Sequence, residues 1–299
     1  MDIEYPSRGR VCPWCTTPCS APSGLFDGAL SGGELELLAI NQERNPLPRH
    51  PRTRAHRPEP EKLQRAVAES NAGLGIATDG DADRVGIVDE WCVRQSVTGV
   101  RLLALYLLEV KGQRGPLVKT LSQSFMVDKL GELYDVPVHE TSVGFKFVGP
   151  KMTEVDAIMG GEESGGFGFK GHIPERDGTL AGLYILDLTA RMERPLSKVI
   201  EYLEEKVGRY YYRRMDLIFE ESRRDEIKQR LLENPPDSLV GKKLASFQTE
   251  DGFKYVLEDG TWLLIRFSGT EPVLRVYTET EAEENVQPML DKGRELAQV

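Results

Sequence analysis

Three aspartates stand at alternate positions in Thr78-Asp79-Gly80-Asp81-Ala82-Asp83-Arg84, with an arginine directly behind them. Alternate residues of an extended segment point the same way, so the three carboxylates would share one side and repel each other. A divalent cation relieves that repulsion. Mg2+ takes hard oxygen ligands at about 2.1 Å and is commonly held by carboxylates together with a phosphate. Arg84 can fork onto the same phosphate. Asp79, Asp81 and Asp83 are therefore the candidate metal ligands, Mg2+ the candidate ion and Arg84 the candidate catalytic cation. Two other readings compete. A solvated acidic turn suits one or two aspartates better than three in register. A calcium EF-hand would use the three aspartates and Glu90 as ligands, but it requires a glycine where Arg84 stands. The flanks, 74–78 and 85–88, also have the pattern of short strands and not of amphipathic helices.

Three more clusters carry chemistry. Gly160-Gly161-Glu162-Glu163-Ser164-Gly165-Gly166 follows a buried-type strand, 157–160. Its glycines let backbone approach a ligand closely, and ligands sit beyond the carboxyl ends of strands in α/β sheets. Glu162 and Glu163 could then accept hydrogen bonds from sugar hydroxyls; a glycine-rich turn with exposed acids is the plain alternative. Arg266-Phe267-Ser268-Gly269-Thr270-Glu271-Pro272 lies between two apolar strands. An arginine fork, two hydroxyls and N–H groups opened by Gly269 suit a phosphate, although a polar hairpin loop would look similar. Lys119 closes the apolar strand Pro116-Leu117-Val118. Partial desolvation would lower its pKa and fit it for acid–base work, whereas most strand-end lysines simply meet solvent.

The elements that must hold these clusters alternate. Helical periodicity covers 61–70, 102–111, 126–134, 146–154, 180–192 and 197–207, with strands at 115–120, 136–140 and 157–160 between. Strand–helix alternation predicts a parallel α/β arrangement. The last ninety or so residues change texture. A strand at 210–219, a helix at 224–232, several strands with turns at 250–252 and 258–260, and a closing helix at 281–297 predict an α+β domain. Nearer the start, 35–41 has the pattern of one strand. Residues 44–57 carry five arginines, three prolines and two histidines with no lysine, the composition of irregular chain.

Composition excludes several classes. Among 299 residues the net charge is −10, against the basic footprint of a nucleic-acid binder. The longest apolar stretch, 102–108, is too short to span a bilayer, and the start lacks a basic region followed by an apolar run. The expectation is a cytoplasmic protein without a membrane or nucleic-acid partner. Cys12, Cys15 and Cys19 have spacing that can hold zinc, but no second half-site offers the missing ligand. A metal-binding interaction module built on that segment is the remaining class, with little to support it.

Taken in order, the aspartate, glycine-glutamate and Arg266-Pro272 clusters resemble the α-D-phosphohexomutase family, which includes phosphoglucomutase and phosphomannomutase. The resemblance runs from about residue 60 to the end. Asp79 to Arg84 is similar to the family's metal loop, Gly161 to Gly166 to its sugar-binding loop and Arg266 to Pro272 to its phosphate-binding loop. The resemblance implies Lys119 as general acid or base. It also implies a substrate-binding set of Glu162, Glu163, Ser164, Gly165, Lys146 (from the Gly144-Phe145-Lys146 stretch), Arg266, Ser268, Gly269, Thr270 and Arg275. The fold implied is two mixed α/β/α sandwich domains, at 1–98 (partly degraded) and 99–207, followed by a smaller α+β domain at 208–299. The reaction implied is Mg2+-dependent interconversion of hexose 1-phosphate and hexose 6-phosphate, on glucose or mannose, through a phosphoserine and a bisphosphorylated intermediate.

That phosphoserine lies in a Thr-x-Ser-His-Asn-Pro type segment in the family. Here none of His50, His56, His139 and His172 follows a serine. The expectation is a chain that begins where the family's second domain begins, with its metal one ligand short and little or no turnover by itself. Loss of such a nucleophile costs many orders of magnitude in rate. A non-catalytic phosphosugar-binding protein is the alternative. The Cys/Pro/Ser-rich and Arg/Pro/His-rich stretches around 41–47 have the composition of a GC-rich gene read out of frame, and 91–96 is a further candidate scar.

Overall fold

A computed structural model describes residues 10–15, 26, 30, 36–40, 60–94, 96–269 and 271–299. The readings of Asn41 to Arg57, of Cys19 and of Thr270 lie outside these residues, as do the side chains of Cys12 and Cys15. The chain forms two compact units, one of residues 1–123 with 127–207, the other of 124–126 with 208–299.

In the first unit, β1 (Arg10–Cys15) and β2 (Glu36–Leu37) run parallel. The strand expected over 35–41 is thus much shorter, with only an isolated bridge at Ile40. Helix α1 (Pro60–Ser70) feeds β3 (Leu74–Thr78), which lies parallel to β1 and antiparallel to β4 (Val85–Val88). Leu63 and Val67 recur at helical spacing and are fully buried, each such side chain contributing about 1.5–3 kcal/mol. A Cβ on Gly75 would lie 2.7 Å from Val67 Cγ2, so the strand and helix meet this closely only at glycine. Past β4 the carboxylate of Asp89 accepts the N–H groups of Trp91 and Cys92, an Asx turn, and β5 (Val93–Arg94) returns alongside β4.

Helix α2 (Ser96–Leu105) starts six residues before the apolar run suggests and ends in a π-helical turn, Tyr106–Val110, where Lys111 N–H reaches the Tyr106 carbonyl. Leu102 to Leu108 are all buried, so the element is covered on every side and its amphipathic signal is weak. The second sheet of this unit has the order β7-β6-β8-β9, built from β6 (Leu117–Thr120), β7 (Val138–Thr141), β8 (Met159–Gly161) and β9 (Phe167–Phe169). The first three are parallel and β9 is antiparallel. Around them lie α3 (Met126–Tyr134), α4 (Phe145–Glu154), α5 (Gly178–Met192) and α6 (Leu196–Val207).

The second unit is a six-stranded sheet of order β10-β15-β14-β13-β12-β11, antiparallel throughout. Its strands are β10 (Tyr211–Ile218), β11 (Ser238–Leu239), β12 (Lys242–Gln248), β13 (Phe253–Leu257), β14 (Trp262–Phe267) and β15 (Val273–Thr280). Leu263 and Ile265, alternate residues of β14, share one core with Tyr255 and Val276, closed by α7 (Arg224–Glu233) and α8 (Val286–Ala297). The closing helix is shorter than expected because Ala282 is still extended and a 3-10 turn, Glu283–Asn285, precedes it. Among the described residues no helix is long and apolar enough to cross a membrane.

Candidate functional site

The aspartate segment is a tight turn and not the extended stretch that the sequence suggested. Ala82 takes a left-handed φ of 57°, and its N–H closes onto the Asp79 carbonyl at 3.1 Å. Arg84 N–H donates to Asp79 Oδ1 at 3.2 Å, while Asp79 N–H donates to the Arg84 carbonyl. The turn gathers the carboxylates: one oxygen from each of Asp79, Asp81 and Asp83 lies within 4.8 Å of the others. Asp79, Asp81 and Asp83 would together offer Mg2+ the hard oxygen ligands it takes. The donors fit that ion. Asp83 Oδ1 is buried and has no hydrogen-bond partner among the described residues. Arg84 Nε, 3.5 Å from Asp79 and 3.6 Å from Asp83, is likewise orphaned.

Burial and crowding shape the charge. Asp79 is pushed up to about 6, first by desolvation, then by the neighbouring carboxylates Asp83 and Asp81, with the Arg84 N–H and guanidinium opposing. A cation among the three would reverse that pressure.

Loop 161–166 is stitched to this turn by backbone. Val85 N–H donates to the Gly165 carbonyl at 2.9 Å, and Arg84 bridges to Gly166. Gly165, at φ 91°, turns the loop so that its own N–H reaches the Glu162 carbonyl. Glu162 is 4% exposed, and its pKa is raised by desolvation, against the pull of Arg176, Arg84 and a hydrogen bond from the Gly144 N–H. Ser164 Oγ is buried without a partner among the described residues, whereas Glu163 is engaged within the protein. Lys146 sits exposed on the first turn of α4 with its ammonium 4.9 Å from the Phe147 ring centre.

The residue that the sequence reading missed is Arg176. Its Nη2 lies 2.6 Å from Asp83 Oδ2 and its Nη1 3.5 Å from Glu162 Oε2, so one guanidinium joins the metal turn to loop 161–166. Only glycine at 166 permits this, since a Cβ there would sit 2.3 Å from Arg176 Cδ. Next in sequence, Asp177 caps α5 by accepting the Leu180 N–H, and Gly178 N–H donates to the Ala82 carbonyl at 2.9 Å. The signal available was the Arg-Asp-Gly run directly before a helix.

Lys119 lies where expected, at the carboxyl end of β6, paired in register with Glu140 on β7 and Gly161 on β8. It is 3% exposed, and its ammonium contacts Asp128 and lies 3.7 Å from Glu140.

In the second unit, Arg266 and Arg275 stand directly opposite each other across β14 and β15. Like charges in that relation are destabilising, and a bound phosphate would turn the cost into attraction. Asp251 receives Arg266 Nε at 3.0 Å, while Arg275 Nε is buried without a hydrogen bond among the described residues. Ser268 is buried and its N–H closes the hairpin onto the Val273 carbonyl, leaving Gly269 in open space.

Three family models match this chain: phosphoglucomutase/phosphomannomutase alpha/beta/alpha domain II over residues 15–91, alpha/beta/alpha domain III over 99–207 and the C-terminal domain over 221–294. The chain belongs to the phosphohexomutase family. A phosphoglucomutase/phosphomannomutase of Thermococcus kodakarensis is 30% identical over 99% of this chain and 62% of its own length. A phosphoglucosamine mutase of Methanocaldococcus jannaschii is 31% identical over 75% of this chain and 48% of its own. A crystal structure described as a phosphomannomutase from Thermus thermophilus superposes with a TM-score of 0.79 at 29% identity, covering 98% of this chain and 61% of that one. The chain thus spans about half to two-thirds of the length of these phosphohexomutase relatives.

Proposed function

We propose that this chain carries the metal, sugar and phosphate elements of a mutase that interconverts hexose 1-phosphate and hexose 6-phosphate, with glucose or mannose as the sugar. The observation that carries the reading is the convergence of Asp79, Asp81 and Asp83 around an orphaned Asp83 Oδ1, tied through Arg176 to the buried Glu162. Asp79, Asp81 and Asp83 would hold Mg2+, which when bound neutralises charge on a phosphoryl group in transfer. Arg84 supplies a second positive charge beside that group. Glu162 and Ser164 offer an acceptor and a hydroxyl for sugar oxygens, and Lys119 a charged donor. In the second unit, the Arg266–Arg275 hairpin offers a guanidinium fork for a phosphate. The phosphoglucosamine mutase among the relatives supports a second sugar, an amino-hexose phosphate, at the same site.

Phosphoryl exchange with a serine needs a residue that these 299 positions do not display in the Ser-His context. The chain alone is therefore expected to bind sugar phosphate without turning it over, as a cytoplasmic protein or as part of a longer one. A coupled assay on glucose 1-phosphate, with and without a hexose 1,6-bisphosphate, tests this. Turnover by the purified chain defeats the expectation of inactivity, and absence of both binding and turnover defeats the mutase reading itself.

A further inference from the structure

Lys119 presents an unusual arrangement. Its side chain is 4% exposed, while the two carboxylates against it, Asp128 and Glu140, are 27% and 30% exposed. The ammonium thus lies beneath its partners. Asp128 comes from the first turn of α3 and Glu140 from β7; on the other side β8 offers only the backbone of Gly161, where loop 161–166 begins. Asp128 makes the closer contact and Glu140 stands at 3.7 Å, so two carboxylates lie against the one ammonium.

This balance bears on what the lysine can do. A lysine used as a base must shed its proton, which burial encourages and neighbouring carboxylates oppose. A lysine used to grip a phosphate gains from an empty positive field, which two carboxylates cancel. What remains favoured is a charged donor of fixed direction. We propose that Asp128 is a positioning residue that keeps Lys119 a charged hydrogen-bond donor, held at the carboxyl end of β6 for an oxygen of the bound sugar phosphate. The inference rests on the hexose-phosphate reading only for the identity of that oxygen's owner.

The test is NMR on the intact chain labelled at lysine Cε, with the Lys119 signal assigned by Lys119→Arg. In Asp128→Asn the Lys119 titration midpoint is expected to fall by about 1 to 3 pH units, the usual effect of an opposite charge at contact distance. Asp128→Glu should restore most of it, which a purely structural role would not produce, and Glu140→Gln should lower it less. Glucose 1-phosphate should move the Lys119 signal of the unaltered chain. An unchanged midpoint in Asp128→Asn overturns the proposal; if that variant does not fold, a larger fall in Glu140→Gln than in Asp128→Glu overturns it equally. Glucose 1-phosphate shifting the amides of 161–166 but not Lys119 also overturns it. Glucose 1-phosphate moving neither set sinks the hexose-phosphate reading, while the Asp128→Asn midpoint still decides the role of Asp128.

Discussion

Arg176 Nη2 lies 2.6 Å from Asp83 Oδ2, and this contact makes the metal turn and loop 161–166 a single electrostatic object. The guanidinium faces the buried Glu162 and an Asp83 whose Oδ1 makes no hydrogen bond among the described residues, although Arg84 Nε lies 3.6 Å from it. Arg176 Nε is itself buried and makes no hydrogen bond among the described residues, lying 3.7 Å from Glu175 Oε1. The site therefore holds spare donors and spare acceptors a few ångströms apart, the condition of a place built to receive a ligand carrying both charge and hydroxyls.

Arg176→Ala should lower stability by about 1 kcal/mol without metal, a modest loss because the pair is partly exposed. Mg2+ supplies positive charge to the same carboxylates. The rise in Tm on adding Mg2+ should accordingly be larger in the variant than in the unaltered chain. Differential scanning calorimetry with and without MgCl2 measures it; an equal or smaller rise would show that Arg176 does not share its carboxylates with the cation.

The raised pKa of Asp79, about 6, sets two opposite slopes. An acid whose folded pKa lies above its unfolded value costs stability once ionised, so the metal-free chain should lose stability as pH climbs from about 4 through the folded value. Mg2+ requires the carboxylate, so its affinity should weaken as pH falls below about 6, by up to about tenfold per pH unit. Calorimetric titration with MgCl2 at pH 5, 6 and 7 checks this, and Asp79→Asn should abolish the dependence.

Much of the site was legible because each motif is local. The three aspartates, the glycine-glutamate loop and the Arg266 hairpin each occupy a handful of consecutive residues, and the strands flanking them have short apolar runs that the structure reproduces. What the sequence withheld is non-local. Arg176 lies 93 positions beyond Asp83, and the Arg-Asp-Gly run around it marks a helix start without saying which carboxylate the arginine will reach. The turn conformation was also hidden, since alternation alone suggests an extended strand and only the left-handed Ala82 converts it into a cup. The π-helical turn after α2 escaped for a different reason: its run is apolar on all sides, so periodicity has no phase to read.

Gly178 is the point where α5 touches the metal turn. A Cβ there would sit 2.4 Å from the Arg84 carbonyl oxygen, a backbone atom that cannot swing aside. Gly178→Ala should therefore shift the turn, destabilise the chain by about 1–3 kcal/mol and weaken Mg2+ binding together. Equilibrium urea unfolding paired with metal titration tests the coupling. A variant that is destabilised yet binds Mg2+ normally would detach the helix contact from the site.

Glu109 anchors the π-helical turn by accepting from Tyr134 and Tyr202, with Lys206 3.3 Å away. Burial raises its pKa, but these donors outweigh burial and the net result lies below the usual range. The stability it contributes is present above its unfolded pKa and lost as pH falls through the folded value. Glu109→Gln should cost about 1–3 kcal/mol at neutral pH and progressively less toward pH 3. A cost independent of pH, measured by urea denaturation, would show that packing rather than charge sets it.

Arg266 and Arg275 stand opposite each other in the second unit, each also facing a carboxylate, Asp251 and Glu271, so a bound anion would compete for both. Without phosphate, Arg275→Ala removes like-charge repulsion across the strands but also the ion pair with Glu271 at 3.9 Å. The two effects are each a fraction of a kcal/mol, so stability should change by less than about 0.5 kcal/mol. With phosphate at a hundred times its Kd, the unaltered chain should gain about 2.7 kcal/mol, and Arg275→Ala should lose most of that increment. Urea unfolding at fixed ionic strength, with phosphate exchanged for chloride, separates specific binding from screening. Arg275→Lys keeps the charge but not the fork, so it should recover only part of the increment. Full recovery by lysine would mean that the hairpin attracts phosphate by charge alone, and equal stabilisation of all three proteins would show that the hairpin does not bind phosphate.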